Sequence, residues 1–258
     1  MNKSTLTPRQ QQIHEQVRSK GFLTVEHLAE QFGVTRQTIR KEVNELAARA
    51  LVQRFHGGAG LPSSVENASY GMRRVLCLPE KRRIARLVAQ HIPERASLFI
   101  NIGTTTEEVA KELVSLKGLR VITNNLRVAD ILADNEDIEV IVAGGLVRAR
   151  DRGVIGELTV DFIKQFKVDF GIIGISGIDA DGSLLDFDYR EVLVARAIIA
   201  NSRRVFLVTD VSKFGRNAMV RLGHLSQVDE LFTDCEPPEP YCSMLASIDI
   251  ALHIAAPE

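Results

Sequence analysis

The sequence is poor in cysteine and has no long apolar run, and each scarcity narrows what the chain does. Its 258 residues include three cysteines, Cys77, Cys235 and Cys242. Odd in number and without zinc-like or thioredoxin-like spacing, they read as reduced, mostly packing thiols. The longest apolar runs, such as Val205 to Val208, are strand-sized, far short of the ~20 residues that a membrane helix needs. The opening Asn2-Lys3-Ser4-Thr5 is polar and has no apolar core of a signal peptide, so the expected location is the cytoplasm. The histidines, His14, His27, His56, His91, His224 and His253, are scattered and show no paired ligand spacing, so no metal is expected. Neither the Gly-x-x-x-x-Gly-Lys-Ser/Thr phosphate loop nor the Gly-x-Gly-x-x-Gly dinucleotide fingerprint occurs, so no ATP, NAD or other cofactor is expected.

What is present is an ordinary globular composition, 45% hydrophobic and 25% charged with a net charge of −1, enough for one or two domains. The near-neutral total hides an asymmetry. Residues 1–60 hold nine Lys/Arg against five Asp/Glu, while residues 61–258 hold 23 against 28. A small basic head precedes a larger acidic body, and a nucleic-acid partner, whose phosphates are neutralised by Lys and Arg, belongs at the head.

The head reads as three helices and a hairpin. Thr7-Pro8-Arg9-Gln10 is a helix start, with Thr7 as N-cap, Pro8 at the first helical position and Gln10 completing a capping box; this helix is expected to run to Lys20 and stop at Gly21. Thr24 caps a second helix with Leu28, Ala29 and Phe32 on one face, and Gly33 permits a sharp turn. Thr35 caps a third, in which Ile39, Val43 and Leu46 form the buried stripe. Two short helices joined by a glycine turn make a helix-turn-helix. Arg36, Gln37 and Thr38 on the first turn of its second helix suit base edges, and Arg40, Lys41 and Asn44 continue the polar surface, Arg40 and Lys41 suiting phosphates. Leu51 to His56 alternates before Gly57-Gly58, which predicts a β-wing carrying Arg54 and His56. The fold expected for residues 1–60 is therefore an α+β winged helix-turn-helix domain. A solvated three-helix interaction module is the plainer alternative, disfavoured by the basic charge and the wing.

Periodicity lapses from Leu61 to Pro79, where Pro62-Ser63-Ser64, Asn67 and Gly71 mark a linker over 61–79. From 80 to 258 the pattern is α/β. A helix with the stripe Ile84, Leu87, Val88 precedes strands over 97–102, 120–122, 139–143, 169–173 and 204–209, and 248–256 adds an edge strand. Small and polar residues follow the strands: Gly103-Thr104-Thr105-Thr106, Thr123-Asn124-Asn125, Gly144-Gly145, Gly174 to Gly177, and Asp210 to Lys213. In an open parallel sheet these loops share the carboxyl edge, where ligands bind. Gly103 to Thr106 opens into a helix whose N-terminus can hold an anion, Lys213 adds positive charge, and Asn124 or Asn125 suits hydroxyls, so a phosphate pocket is expected. The acids Asp186, Asp188 and Glu191 suit proton transfer in principle. At the first turn of a helix over 188–201, however, their plainer role is structural.

These residues resemble a known family. Thr35-x-x-Thr38-Ile39-Arg40 and Arg54-x-His56-Gly57-Gly58-Ala59 are similar to the DeoR-type bacterial repressors, and Gly103-Thr104-Thr105, Thr123-Asn124-Asn125, Gly144-Gly145 and Asp210-x-Ser212-Lys213-Phe214 are similar to their sugar-phosphate sensor domain. The longer strings Gly174 to Leu185, Phe187-Asp188-Tyr189 and Lys213 to Val220 resemble the branch of that family that governs glycerol and glycerol-3-phosphate use. The resemblance covers nearly the full chain. It implies a homo-oligomeric, usually tetrameric, repressor bound to double-stranded operator DNA and released by a small phosphorylated effector, glycerol-3-phosphate, with another phosphorylated sugar as the alternative. It also implies a sensor domain over 80–258, effector-binding and oligomerising, related in fold to ribose-5-phosphate isomerase, with the phosphate at Gly103 to Thr106. Asn101, where the family usually has Asp, and Asp210 belong to the same expected site. The expected role is regulatory and not enzymatic; the rival is a sugar-phosphate isomerase or hydrolase using Asp186, Asp188 or Glu191 as base.

Overall fold

The computed structural model describes residues 6–20, 22–49, 51–55, 57–60 and 67–257. The chain divides into two compact units, Met1–Cys77 and Leu78–Glu258.

In the first unit, helices α1 (Pro8–Lys20), α2 (Val25–Phe32) and α3 (Arg36–Ala48) accompany short strands β1 (Phe22–Thr24), β2 (Gln53–Phe55) and β3 (Gly58–Gly60), and α4 (Tyr70–Val75) follows. The capping box at α1 is formed: Thr7 N donates to Gln10 Oε1 at 3.0 Å and Gln10 N to Thr7 Oγ1 at 3.2 Å. Thr24 Oγ1 accepts from His27 N and caps α2, which ends at Gly33 with φ of 62°, a left-handed conformation that glycine adopts without a Cβ clash. The sharp turn between α2 and α3 rests on that residue. Strands β2 and β3 pair antiparallel with Arg54 opposite Ala59, and β1 adds to the far side of β3 in the order β1-β3-β2. The wing is thus three-stranded. The strand at Phe22–Thr24, too short to show alternation, was not expected. Ile13, Val17, Leu28, Ile39, Val43 and Leu46 close the core. The expected stop of α1 at Gly21 and the wing residue His56 lie outside the described residues.

The stretch 61–79, expected as a linker, contains the boundary between the two units and some helix of its own. Within it Ser69 Oγ accepts from Met72 N and caps α4, and α5 (Leu78–Gln90) begins before its end. Gly71 breaks the apolar period without breaking the helix, because a single capped turn needs no buried stripe.

The second unit continues with β4 (Ser97–Ile100), α6 (Thr104–Leu113), β5 (Arg120–Thr123), α7 (Leu126–Leu132), β6 (Glu139–Val142), the hairpin β7 (Leu146–Arg148) and β8 (Gly153–Ile155), and α8 (Glu157–Ile163). Then come β9 (Val168–Ile173), β10 (Gly177–Ile178), β11 (Ser183–Asp186), α9 (Tyr189–Ala200), β12 (Ser202–Val208), β13 (Val220–His224), β14 (Glu230–Thr233), α10 (Tyr241–Ser247) and β15 (Ala251–Ile254). Seven strands form a parallel sheet in the order β15-β14-β12-β9-β4-β5-β6. Alternating residues of each strand serve opposite faces. Leu98 and Ile100 pack with α5 and α6 residues such as Ile84 and Val109, while Phe99 packs with α9 residues such as Val192 and Ile198. The chain moves outward from β4 to β5 and β6 on one side and from β9 to β12, β14 and β15 on the other. The loops after β4 and β9 therefore part at a topological switch point, the usual crevice for a ligand in an open α/β sheet.

Candidate functional site

In the first unit, burial of Ile39, Val43 and Leu46 turns the opposite face of α3 to solvent. Thr35 Oγ1 accepts from Thr38 N at 3.2 Å and lies 2.9 Å from Thr38 Oγ1, fixing the first turn. Arg36, Gln37, Arg40, Lys41 and Asn44 are exposed on that helix, and Thr38 is half-buried. Arg54 on β2 donates to Asn44 Oδ1 at 3.0 Å, which registers the wing against α3. Arg36 meets Glu26 at 3.5 Å across an exposed pair that water screens. Arg40 and Lys41 have no carboxylate partner among the described residues. Sequence reasoning missed what holds α3 in place: Arg9 donates through Nε and an Nη to the Glu42 carboxylate at 2.6–2.9 Å, tying α1 to α3. That hydrogen bonding raises the Arg9 pKa.

In the second unit, the loops after β4, β5 and β12 bring part of the expected set together. Gly103 is the N-cap of α6, and the first amide to bond back is Glu107 N, to Gly103 O at 3.0 Å. The amides of Thr104, Thr105 and Thr106 thus stand ahead of the helical ladder, at the positive end of its dipole. Thr106 Oγ1 is spent within the loop, donating to Asn101 O at 2.7 Å and Gly103 O at 2.8 Å. Thr105 Oγ1 makes no hydrogen bond to a described residue. Thr104 Oγ1 accepts from Lys81 Nζ at 3.0 Å. Lys81, on the first turn of α5 and 3% exposed, is the cation that sequence reading did not single out. Only its place one turn into an amphipathic helix beside the Ile84 stripe hinted at burial.

Asp210, at the end of β12, completes the charge cluster. Burial alone raises a carboxyl pKa, but the charges of Lys213 and Lys81 and hydrogen bonds from Ser212 hold Asp210 at about 2. Lys213 Nζ lies 3.7 Å from Asp210 Oδ2, and Ser212 N donates to Oδ1 at 3.1 Å. The neighbouring Asp234 is pushed up by its burial, and the charge of Asp210 adds to the rise. Lys81 and Lys213 thus flank Asp210 near the N-terminus of α6, a setting that suits an anion.

Two asparagines were candidates for hydroxyl binding, and the structure separates them. Asn125 caps α7 through Oδ1, which accepts from Arg127 N at 3.0 Å, and its Nδ2 donates to Glu107 Oε1 at 3.3 Å, so both ends are committed. Asn124 donates Nδ2 to Val154 O at 3.1 Å, leaving a fully buried Oδ1 with no hydrogen-bond partner. Asn101 Oδ1 is likewise buried and without a partner. Buried acceptors of this kind are costly unless a donor such as a ligand hydroxyl reaches them. Gly144 and Gly145 are exposed beyond the edge strand β6, and Thr159 on α8 donates to Gly144 O at 2.9 Å. The described contacts tie them to α8 and not to the loop after β4.

The acids that suited proton transfer are engaged. Arg148 on β7 meets Asp151 at 2.7 Å, Asp188 at 2.8 Å and Glu191 at 2.5 Å, locking the hairpin to the start of α9. Burial lowers the Arg148 pKa, but Glu191 and Asp151 outweigh that and raise it. Asp188 Oδ1 caps α9 at Arg190 N, and Asp186 Oδ1 accepts from Ser176 Oγ at 3.0 Å.

A winged helix-turn-helix with an exposed polar face on α3, followed by an α/β unit with two lysines near a helix N-terminus, fits a DNA-binding regulator that carries its own sensor. The DeoR-like helix-turn-helix domain matches residues 9–65 and the DeoR C terminal sensor domain residues 77–235, and the chain belongs to the DeoR family. It is similar to the glycerol-3-phosphate regulon repressor of Escherichia coli, 53% identical over 248 residues that cover 96% of this chain and 98% of that one. The protein of the same name from Haemophilus influenzae is 52% identical over 229 residues, 89% of each chain. Among solved structures, ribose 5-phosphate isomerase A from Neisseria gonorrhoeae aligns over 52% of each chain at a TM-score of 0.38 and 16% identity, a likeness that says nothing about activity. Among the described residues no helix is long and apolar enough to cross a membrane.

Proposed function

We propose that the chain is a transcriptional repressor of glycerol and glycerol-3-phosphate genes that binds operator DNA through residues 1–60 and lets go when residues 80–258 bind glycerol-3-phosphate. The observation that carries the sensor half is the buried Lys81–Thr104 contact at the N-terminus of α6, beside Asp210 and Lys213. Lys81, Lys213 and the amides of Thr105 and Thr106 receive the phosphate, with the Thr105 hydroxyl adding a donor. The Oδ1 atoms of Asn101 and Asn124 accept the polyol hydroxyls. The names of the relatives above support glycerol-3-phosphate over other phosphate esters.

On the DNA side, Arg36, Gln37 and Thr38 read base edges, with Thr35 holding the turn that presents them; Arg40, Lys41 and Asn44 grip phosphates, and Arg54 and His56 place the wing. The two halves are joined through 61–79, and identical chains assemble, as a tetramer, so that paired heads meet repeated half-sites in the cytoplasm. The chain is not an enzyme in this reading: of the acids that the isomerase or hydrolase rival would use as base, Asp188 and Glu191 are held by Arg148 and Asp186 accepts from Ser176.

Isothermal titration with glycerol-3-phosphate, glycerol and ribose 5-phosphate tests this reading. Binding of glycerol-3-phosphate in preference to both controls is expected. Preference for ribose 5-phosphate would reassign the effector, and binding of neither ester would remove the sensor assignment. Turnover of triose or pentose phosphates abolished by Glu191→Gln would overturn the non-enzymatic reading.

A further inference from the structure

The histidines that the sequence scatters are partly reunited by the fold. His91 follows the end of α5, His253 lies on the edge strand β15, and Glu230 opens β14 beside it. One ligand atom from each lies within 4.8 Å of the other two. His253 Nε2 is 2.8 Å from Glu230 Oε2. The His91 and His253 rings meet edge-on at 4.4 Å between centroids, and Phe232 stacks on His253 at 4.5 Å and takes the edge of His91 at 5.1 Å. Both rings are therefore fixed by an aromatic neighbour.

We propose that His91, Glu230 and His253 form a binding site for a divalent transition-metal ion of the zinc class. The first support is the orientation of His91. Its Nδ1 lies 2.8 Å from Leu87 O, and a carbonyl only accepts, so Nδ1 is the donor of that bond and Nε2 is the ring nitrogen left for an ion. A backbone carbonyl fixing one ring nitrogen while the other binds the ion is the usual outer-shell arrangement of a metal-ligating histidine.

The second support is the carboxylate. Glu230 is 3% exposed, and Arg204 pairs with its Oε1, which orients the group and leaves Oε2 on the histidine side. Two imidazoles and one carboxylate form a donor set that zinc accepts with an open position for water. Ligand atoms of a four-coordinate zinc ion stand ~3.3 Å apart for bond lengths near 2.0–2.1 Å. The His253–Glu230 pair at 2.8 Å would open slightly, and the three ligand atoms, all within 4.8 Å of one another, need only small adjustments to reach that spacing.

The site is separate from the proposed effector crevice. Lys81 lies at the start of α5 and His91 just past its end, about 15 Å away along the helix. An ion held by His91, Glu230 and His253 would pin the end of α5 to the sheet edge that β14 and β15 form.

Titration of the full chain with Zn2+ against a chromophoric chelator, with Co2+ as a spectroscopic stand-in, is the test. One ion per chain is expected, with a Co2+ visible band free of thiolate charge transfer. Affinity should fall about tenfold or more in His91→Gln and in His253→Gln separately. Zinc should raise the melting temperature of the wild type and of neither variant. Both substitutions are at half-buried positions, so either alone decides if the other fails to fold. No binding by the wild type, unchanged affinity in a folded variant, or a thiolate band implicating a cysteine would each overturn the site.

Discussion

In the proposed reading Lys81 is the residue on which the sensor turns. Its ammonium is buried against Thr104 and lies near enough to Asp210 to hold that carboxyl low, so a phosphate arriving at α6 meets a cation already placed and desolvated. Lys81→Met is expected to weaken glycerol-3-phosphate binding at least about tenfold by calorimetry, since charge-assisted hydrogen bonds of this kind are worth ~1.5–3 kcal/mol. Operator affinity without effector should stay unchanged, and equal effector affinity in variant and wild type would contradict the role. Thr105→Ala should leave DNA binding intact and raise the effector concentration needed for release.

Asp210 makes the same cluster sensitive to acid. Its folded pKa of about 2 lies below the ordinary Asp value of ~3.9. The stability it contributes, about 2 kcal/mol, is therefore present above roughly pH 4 and lost as pH falls toward 2. Denaturant titrations of wild type and Asp210→Asn across that window should converge at the acid end. A constant difference between them would show that Asp210 is not the titrating group.

Among the elements, the recognition helix is the most legible from sequence and the effector crevice the least. Thr7, Thr24 and Thr35 announce their helices because a cap is a local event, and each accepts from the main-chain N–H three residues on. The parallel strands β4, β5, β6, β9 and β12 show as apolar runs for the same local reason. Strand β14 was missed because Glu230 and Asp234 bracket its short apolar centre, and α4 because a single turn has no period. Lys81, the Arg148 cluster and the His91–His253 contact were invisible because each joins distant parts of the chain. Gly144 and Gly145 entered the expected site by their place after a strand and by the family resemblance, and the contact that the structure gives them is with Thr159 on α8.

Two elements carry their own tests. Arg148→Ala removes the buried cation that Asp151, Asp188 and Glu191 share, leaving the more exposed Arg150 to meet the first two, and is expected to cost ~3 kcal/mol in urea melts, the low end for breaking a buried ion pair. A loss below 1 kcal/mol would mean that the hairpin and α9 hold together without it. Gly33→Ala forces a Cβ into the left-handed turn at φ of 62° and should destabilise the first unit by ~1 kcal/mol, seen as an earlier melting transition.

For the whole molecule, function requires that occupancy of the sensor change the affinity of the heads, and such coupling is reciprocal: operator must weaken effector binding by the factor by which effector weakens operator binding. Moving a population from 99:1 to 1:99 takes ~5.5 kcal/mol of differential binding, which several effectors acting in one assembly supply more readily than one. The basic head sets the salt dependence. Arg40→Ala should lower affinity for all DNA and flatten the slope of log K against log salt by about one phosphate contact, whereas Gln37→Ala should mainly relax preference at one base pair, both measurable by fluorescence anisotropy.

The most direct test follows operator binding by fluorescence anisotropy while glycerol-3-phosphate is added, with wild type and Lys81→Met side by side. Release of the wild type at saturating effector, with Lys81→Met still bound at the same concentration, is the predicted result. A wild-type bound fraction that does not change at saturation would contradict the coupling of sensor to DNA.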